Sequence, residues 1–285
     1  MPEQRRRKKP DIWEPKPFMA TPGPVPDGDL HIRTVGVAGM ERSYWSPTQQ
    51  PRATDVPLLI VVHGLGLTGR HMAVGTKLAE LAPEAGFHAV FPDALERCWD
   101  DHGCGRRDGG DDALFMRALV DHLRRRGEIS PSLPVVMAGL GMGAAFVERI
   151  ARGGILDCAG VMLVSGSARV ASRERVPEPR QQCSLLMMHG ELRADRVGFR
   201  VHRTLTDTSG HDFVDPATVA ADWERANQGS SHQVLQLELS GSGGGWPGGR
   251  GRIRSRLDAP DRGAKGTQAG GAASAALLSF AAALL

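Results

Sequence analysis

The stretch Pro134–Ala144, PVVMAGLGMGA, decides how this chain is read. Pro134-Val135-Val136-Met137-Ala138 is an apolar run with the length and β-branching of a buried strand. It breaks at Gly139-Leu140-Gly141-Met142-Gly143, and helix-like sequence follows from Ala144 to Ile150. A strand therefore turns sharply into a helix, with glycine at both ends of the turn and glycine at its centre.

Working outward from that turn, strands and helices alternate. His31–Gly39 and Glu41–Pro47 read as two short strands joined by a Gly turn, an antiparallel edge. Val56–His63, VPLLIVVH, is a near-continuous apolar strand, followed by the glycine loop Gly64–Gly69. Arg70–Gly86 has helical periodicity, with Met72, Leu78, Leu81 and Ala82 on one side. His88–Pro92 is the next strand, and a long loop runs through Cys98-Trp99 and Gly109–Asp112. Ala113–Arg126 is expected as a helix with Leu114, Leu119, Val120 and Leu123 as its apolar stripe. Asp111 and Asp112 start it, where carboxylates favour the dipole and capping. Beyond the central turn, Ala159–Val164 and Ser184–His189 are strands. Asp215 caps a helix that begins at Pro216 and runs to Ala226. Val234–Leu239 is the final strand. Gly-rich sequence follows, and Ala272–Leu285 is a last helix packed on the sheet. This alternation implies a mainly parallel, doubly wound α/β sheet with helices on both faces.

The 285 residues, 41% of them hydrophobic, suffice for one full core. Residues 29–285 are expected to form one domain, preceded by a basic Pro-rich tail over residues 1–28. The tail carries Arg5-Arg6-Arg7-Lys8-Lys9, which reads as a disordered, solvated segment. No aromatic interleaving supports nucleic-acid binding. No apolar core of a signal peptide follows the basic run, so the chain as written reads as cytoplasmic. The C-terminal apolar run is too short to span a bilayer. Cys98, Cys104, Cys158 and Cys183 lack metal-ligand spacing. Cys158 and Cys183 read as buried free thiols, and Cys98 and Cys104 can pair in an oxidising compartment. HxxxH and HExxH motifs are absent, and no metal or cofactor is expected.

Several segments together resemble the polyhydroxybutyrate-depolymerase and feruloyl-esterase type of α/β-hydrolase. They are Arg42-Ser43-Tyr44, PLLIVVHGLGLTG, GFHAVFPDALERCW, GGDDALFMRALVDHL, GLGMGAAFVERIA, LLMMHG, ATVAADWERAN and GGGWPGG, spread from Arg42 to the C-terminus. The resemblance implies the α/β-hydrolase fold and hydrolysis of carboxylic esters by Ser, Asp and His. Its ligand is then a small-molecule or polymeric ester or acyl compound. The strand–turn–helix becomes the nucleophile elbow, G-x-S-x-G, and the nucleophile falls on Gly141. The acid falls after His189-Gly190, where the departure from the family's short spacing leaves Asp195 two residues late. The base, which precedes Trp-Pro-Gly-Gly, falls on Gly244. Backbone oxyanion donors fall on Leu65 and Met142. Trp99 and Trp246 are candidate walls of an aromatic or acyl pocket.

The residue types speak independently of that alignment. An elbow nucleophile must carry an oxygen or sulfur that a base can activate. From Pro134 to Val147 there is no Ser, Cys, Thr, Asp or Glu, and no histidine follows His232. Two of three triad roles are missing by residue type. Ser165 and Ser167, at a strand end, read as turn residues. His211 reads as solvated or locally bonded, and His63 and His189 as structural. The chain is therefore expected to be a catalytically impaired hydrolase. The alternative is a non-catalytic binder of a small carboxylate or acyl ligand in the vestigial cleft.

Overall fold

The computed structural model describes residues 29–53, 55–100, 111–133, 135–190, 205–206, 212–240, 252–255 and 269–284. The expected tail lies outside them. The strands are β1 (Leu30–Val37), β2 (Met40–Pro47), β3 (Leu58–Val62), β4 (His88–Pro92), β5 (Val135–Leu140), β6 (Cys158–Val164), β7 (Ser184–Gly190), β8 (Leu205–Thr206), β9 (Asp212–Phe213), β10 (Val234–Ser240) and β11 (Arg252–Ser255). The helices are α1 (Gly69–Gly75), α2 (Leu78–Glu84), α3 (Asp112–Arg125), α4 (Met142–Arg152), α5 (Val170–Arg175), α6 (Pro216–Ala226) and α7 (Ala269–Ala282).

Among the described residues nine strands form one sheet in the order β1-β2-β4-β3-β5-β6-β7-β10-β11, and β8 pairs with β9. Strands β4, β3, β5, β6, β7 and β10 run parallel. The β1–β2 hairpin forms an antiparallel edge on β4, as its sequence indicates. Ala38 and Gly39 both take positive φ, the requirement of a tight two-residue hairpin turn. The other edge, β11, is antiparallel to β10, so the strand expected at Val234–Leu239 is not the last one.

β3, β4, β5 and β6 are buried throughout. Alternate side chains point to opposite faces, because a strand repeats every two residues. Leu58, Ile60, Val62, Met137, Leu163 and Met187 pack with Phe115, Leu119, Phe146, Ile150 and Trp223 of α3, α4 and α6. Leu59, Val61, Val136, Met162 and Met188 face the other way, against Met72 and Ala73 of α1, Leu78 and Ala82 of α2, and Leu277, Phe280 and Ala281 of α7. Helices cover both faces, and the C-terminal helix lies on the sheet as expected. Among the described residues no helix is long and apolar enough to cross a membrane.

Three local expectations change. The periodic segment 70–86 is two short helices. The Thr76 hydroxyl donates to Met72 O and accepts from Leu78 N, and Lys77 between the helices has φ 59°. The stripe of α3 is Phe115, Met116, Leu119, Val120 and Leu123, while Leu114 is 42% exposed. Asp111 does cap α3, accepting from Ala113 N and Leu114 N. Asp112, however, turns inward. It is fully buried, accepts from Arg42 at 2.6 Å, and accepts from Asp100 N at 2.7 Å. Two buried charges that satisfy each other and a backbone amide tie β2 to the start of α3.

A second buried network joins α4 to α6. Arg152 donates to Glu148 (2.7 Å) and Asp222 (3.1 Å), and Trp223 Nε1 donates to Glu148 (3.2 Å). Arg173 and Arg225 close around Asp222 from the surface. Asp215 accepts from Ala217 N with Pro216 as the first helical residue, the cap its sequence indicates.

Candidate functional site

The turn at residues 139–143 is a strand running straight into a helix at the C-terminal edge of the central strand. Gly141, between β5 and α4, has φ 56° and ψ −116°. A side chain in that region is strained, and glycine is not. A Cβ built at Gly141 would meet nothing within 4 Å, so the position faces open space. Its neighbours are the opposite case. A Cβ at Gly139 would collide with Gly143 O and Ala144 N. One at Gly143 would collide with the carbonyls of Val62 and His63, and one at Gly166 with Gly141 O. Gly139, Gly143 and Gly166 therefore let the elbow press against the ends of β3 and β6, while Gly141 between them has room for a side chain.

The loop after β3 lies beside the elbow, with Gly64 against Leu140 O. His63 anchors it. Ala94 N–H can only donate, and it reaches His63 Nε2 at 3.0 Å; the ring proton therefore sits on Nδ1, which donates to Gly64 O at 2.8 Å. Burial, opposed by the Gly64 carbonyl and Asp93, pushes the His63 imidazole down to about 4, so it stays neutral. Gly66 N donates to Arg97 O, and Gly69 N donates to Asp93 Oδ1 at 2.7 Å. Asp93 also accepts from the Ser43 hydroxyl and Trp45 Nε1. Glu96 and Arg97, which carry this clamp, both have positive φ. Among the described residues, neither Leu65 N–H nor Met142 N–H has a hydrogen-bond partner.

Trp99 departs from its expected place. It has no exposed surface, stacks on Phe146 with ring centres 4.9 Å apart, and donates from Nε1 to His63 O at 2.9 Å. It supports the loop from beneath, within the core, and does not wall a pocket. An indole N–H satisfied by a backbone carbonyl allows that burial. Nothing in the sequence separated this outcome from a pocket wall, since Trp99 lies in a loop with no periodicity.

Ser165, exposed at the end of β6, has φ 49° and donates its N–H to Met188 O. Ser167 is buried and donates its hydroxyl to Val214 O at 2.7 Å, a structural contact. His189, at the end of β7, is kept below its ordinary range by burial, against the opposing field of Asp215. Its Nε2 is buried without a hydrogen-bond partner among the described residues. Asp195, His211, Gly244 and Trp246 lie outside the described residues; of the expected set, Gly141 and Met142 stand at the turn and Leu65 in the loop beside it. Cys158 and Cys183 are buried free thiols, as read from sequence, and burial pushes Cys158 up to about 12. Cys98 is disulfide-bonded. Among the described residues no group of His, Cys, Asp and Glu has the arrangement of a metal site.

The frame described above has a recognisable set of solved counterparts. Over 76% of this chain and 92% of theirs, it is similar to fluorophosphonate-binding serine hydrolase F of Staphylococcus aureus, at 12% identity and a TM-score of 0.52. Over 75% of this chain and 86% of the other, it is similar to an S-formylglutathione hydrolase from Agrobacterium tumefaciens, again at 12% identity and a TM-score of 0.52. This chain has the α/β-hydrolase fold. At that identity the likeness concerns the fold. No protein-family model matches the chain, and no curated protein matches it.

Two predictions follow from the geometry. Gly141→Ser introduces strain but no collision, and lowers stability by roughly 1–3 kcal/mol. Gly143→Ala sets a Cβ against two backbone carbonyls and lowers the melting temperature further than Gly141→Ser does. Thermal melts of both variants check this; the reverse order would mean that α4 is not pressed onto β3.

His63 titrates at about 4 in the folded chain and near its ordinary 6.5 when unfolded. The unfolded chain therefore binds more protons between those values, and stability falls as pH drops through that window. This one site contributes a slope of up to ~1.4 kcal/mol per pH unit. Urea unfolding across the window should show a flatter profile for His63→Asn than for the parent chain, beneath the overall loss of stability.

Proposed function

We propose that residues 29–285 form an α/β-hydrolase domain of the polyhydroxybutyrate-depolymerase and feruloyl-esterase type whose ester-hydrolysing step is impaired. The observation that carries this reading is Gly141. It occupies the turn between β5 and α4 in the strained conformation of an elbow, with open space where a side chain would stand and no atom to act as nucleophile. Gly244 at the base position repeats the deficit, and Asp195 remains the candidate acid. A triad acts as a unit, so loss of nucleophile and base together removes most of the rate. What remains is electrostatic stabilisation and binding, worth ~10³–10⁴ over water.

Leu65 N–H and Met142 N–H supply that residue of function. Both are backbone donors without a partner among the described residues, and Met142 is the first residue of α4, where the helix dipole adds partial positive charge. His63 does not abstract a proton in this scheme. Its ring nitrogens are both engaged in holding the loop that carries Leu65. Open space in front of two N–H donors also supports a second reading, a non-catalytic binder of a small carboxylate or acyl ligand. Trp99 is in the core, and Trp246, which lies outside the described residues, stays a candidate wall for such a ligand.

Hydrolysis of p-nitrophenyl butyrate by the intact chain should stay within ~10³–10⁴ of the uncatalysed rate. Calorimetry with ferulate and 3-hydroxybutyrate should show binding in the millimolar range or tighter. Turnover at the rate of a working serine esterase would overturn the impaired reading, and absence of heat from either acid at millimolar concentration would overturn the binding one.

A further inference from the structure

The far end of α4 carries a recess, unrelated to the elbow. A cavity of about 220 Å³ is lined by Arg149 and Arg152 of α4, Arg175 of α5, Arg180 from the segment before β7, and Ser172. Among the described residues no carboxylate lines it. With a rise of about 1.5 Å per residue, the eleven-residue helix α4 sets it roughly 16 Å from Gly141.

Arginine at a helix C-terminus often serves the helix itself, by bonding its last carbonyls. Here those carbonyls are taken. Arg149 O accepts from Gly153 N, Arg152 O from Arg180 N, and Ala151 O from Gly154 N and Gln181 Nε2. Arg152 is itself fixed in place. Its Nε and one terminal nitrogen bond Glu148 and Asp222, and the other donates to Pro177 O at 2.8 Å. Arg149 donates to Asp100 O and lies 3.6 Å from the Asp100 carboxylate. The Arg180 side chain, by contrast, has no hydrogen-bond or ion-pair partner among the described residues. The recess is thus lined by four arginines from three segments, and the side chain of one of them, Arg180, has no counter-charge among the described residues.

We propose that this recess is a binding site for a phosphoryl dianion, either inorganic phosphate or the phosphate of a small monoester. A tetrahedral dianion offers enough oxygens to accept from guanidinium groups arriving from different directions, and planar paired N–H donors suit it. The volume admits one phosphate with room for water or the first atoms of an ester substituent. The C-terminal dipoles of α4 and α5 oppose an anion here, but they are weaker than charge-assisted bonds from arginine.

The test uses the full chain at constant ionic strength, with melting temperature and calorimetry as readouts. Inorganic phosphate should raise the melting temperature in proportion to its excess over Kd, and acetate at the same concentration should not. Arg175→Ala/Arg180→Ala changes two exposed residues outside the buried ion network, and should weaken phosphate binding by about tenfold or more. A monoester such as phosphoserine that binds as tightly as phosphate, or tighter, assigns the site to an esterified ligand; binding of inorganic phosphate alone assigns it to the free anion. No response to phosphate up to about 10 mM, or unchanged affinity in a folded double variant, overturns the proposal.

Discussion

The close approach of α4 to the ends of β3 and β6 is the constraint on which the rest of this structure depends. Backbone meets backbone at Gly139, Gly143 and Gly166, where a single added carbon would have no room. That contact sets where α4 begins and therefore where Gly141 is held. It also lets the buried length of α4, from Ala144 to Ile150, pack on the centre of the sheet. Strain tolerated at one glycine is sustained by tight packing at its neighbours. The site and the core are in this sense one structure.

The loop beside the elbow depends on a different kind of contact. His63 is a buried histidine with both nitrogens engaged, and Trp99 closes the arrangement by donating to the His63 carbonyl. Asp93 gathers Gly69, Ser43 and Trp45 around one carboxylate. Polar groups in this region are thus consumed in fixing backbone. The N–H groups of Leu65 and Met142 stay unpaired among the described residues, and the proposed binding of a ligand oxygen rests on these two donors.

Much of this was legible in the sequence, for physical reasons that differ by element. Buried parallel strands announce themselves as apolar runs, and β3, β4, β5 and β6 fall within a residue or two of their expected bounds. Asp215-Pro216 fixes the start of α6 by cap chemistry alone. The break at Lys77 was hidden, because the apolar period runs on through it while the Thr76 side chain and backbone strain end the first helix. Leu114 was misplaced because Phe115 and Met116 define the inward face one residue later. Trp99 was misread because solvent access in a loop depends on tertiary packing, here on Phe146 and the His63 carbonyl. The inward turn of Asp112 has the same origin, since Arg42 is seventy residues away in the chain. The absence of a nucleophile at position 141 needed no structure at all, because it is a statement about residue type.

The turn at Gly141 keeps the backbone of an elbow, and glycine there carries no reactive group. The most direct measurement is intact mass after incubation with a serine-directed fluorophosphonate. The unmodified mass is expected, because Gly141 has no atom to phosphonylate. A stoichiometric adduct mapping to a serine beside Gly141, such as Ser165, would show instead that a nucleophile stands there.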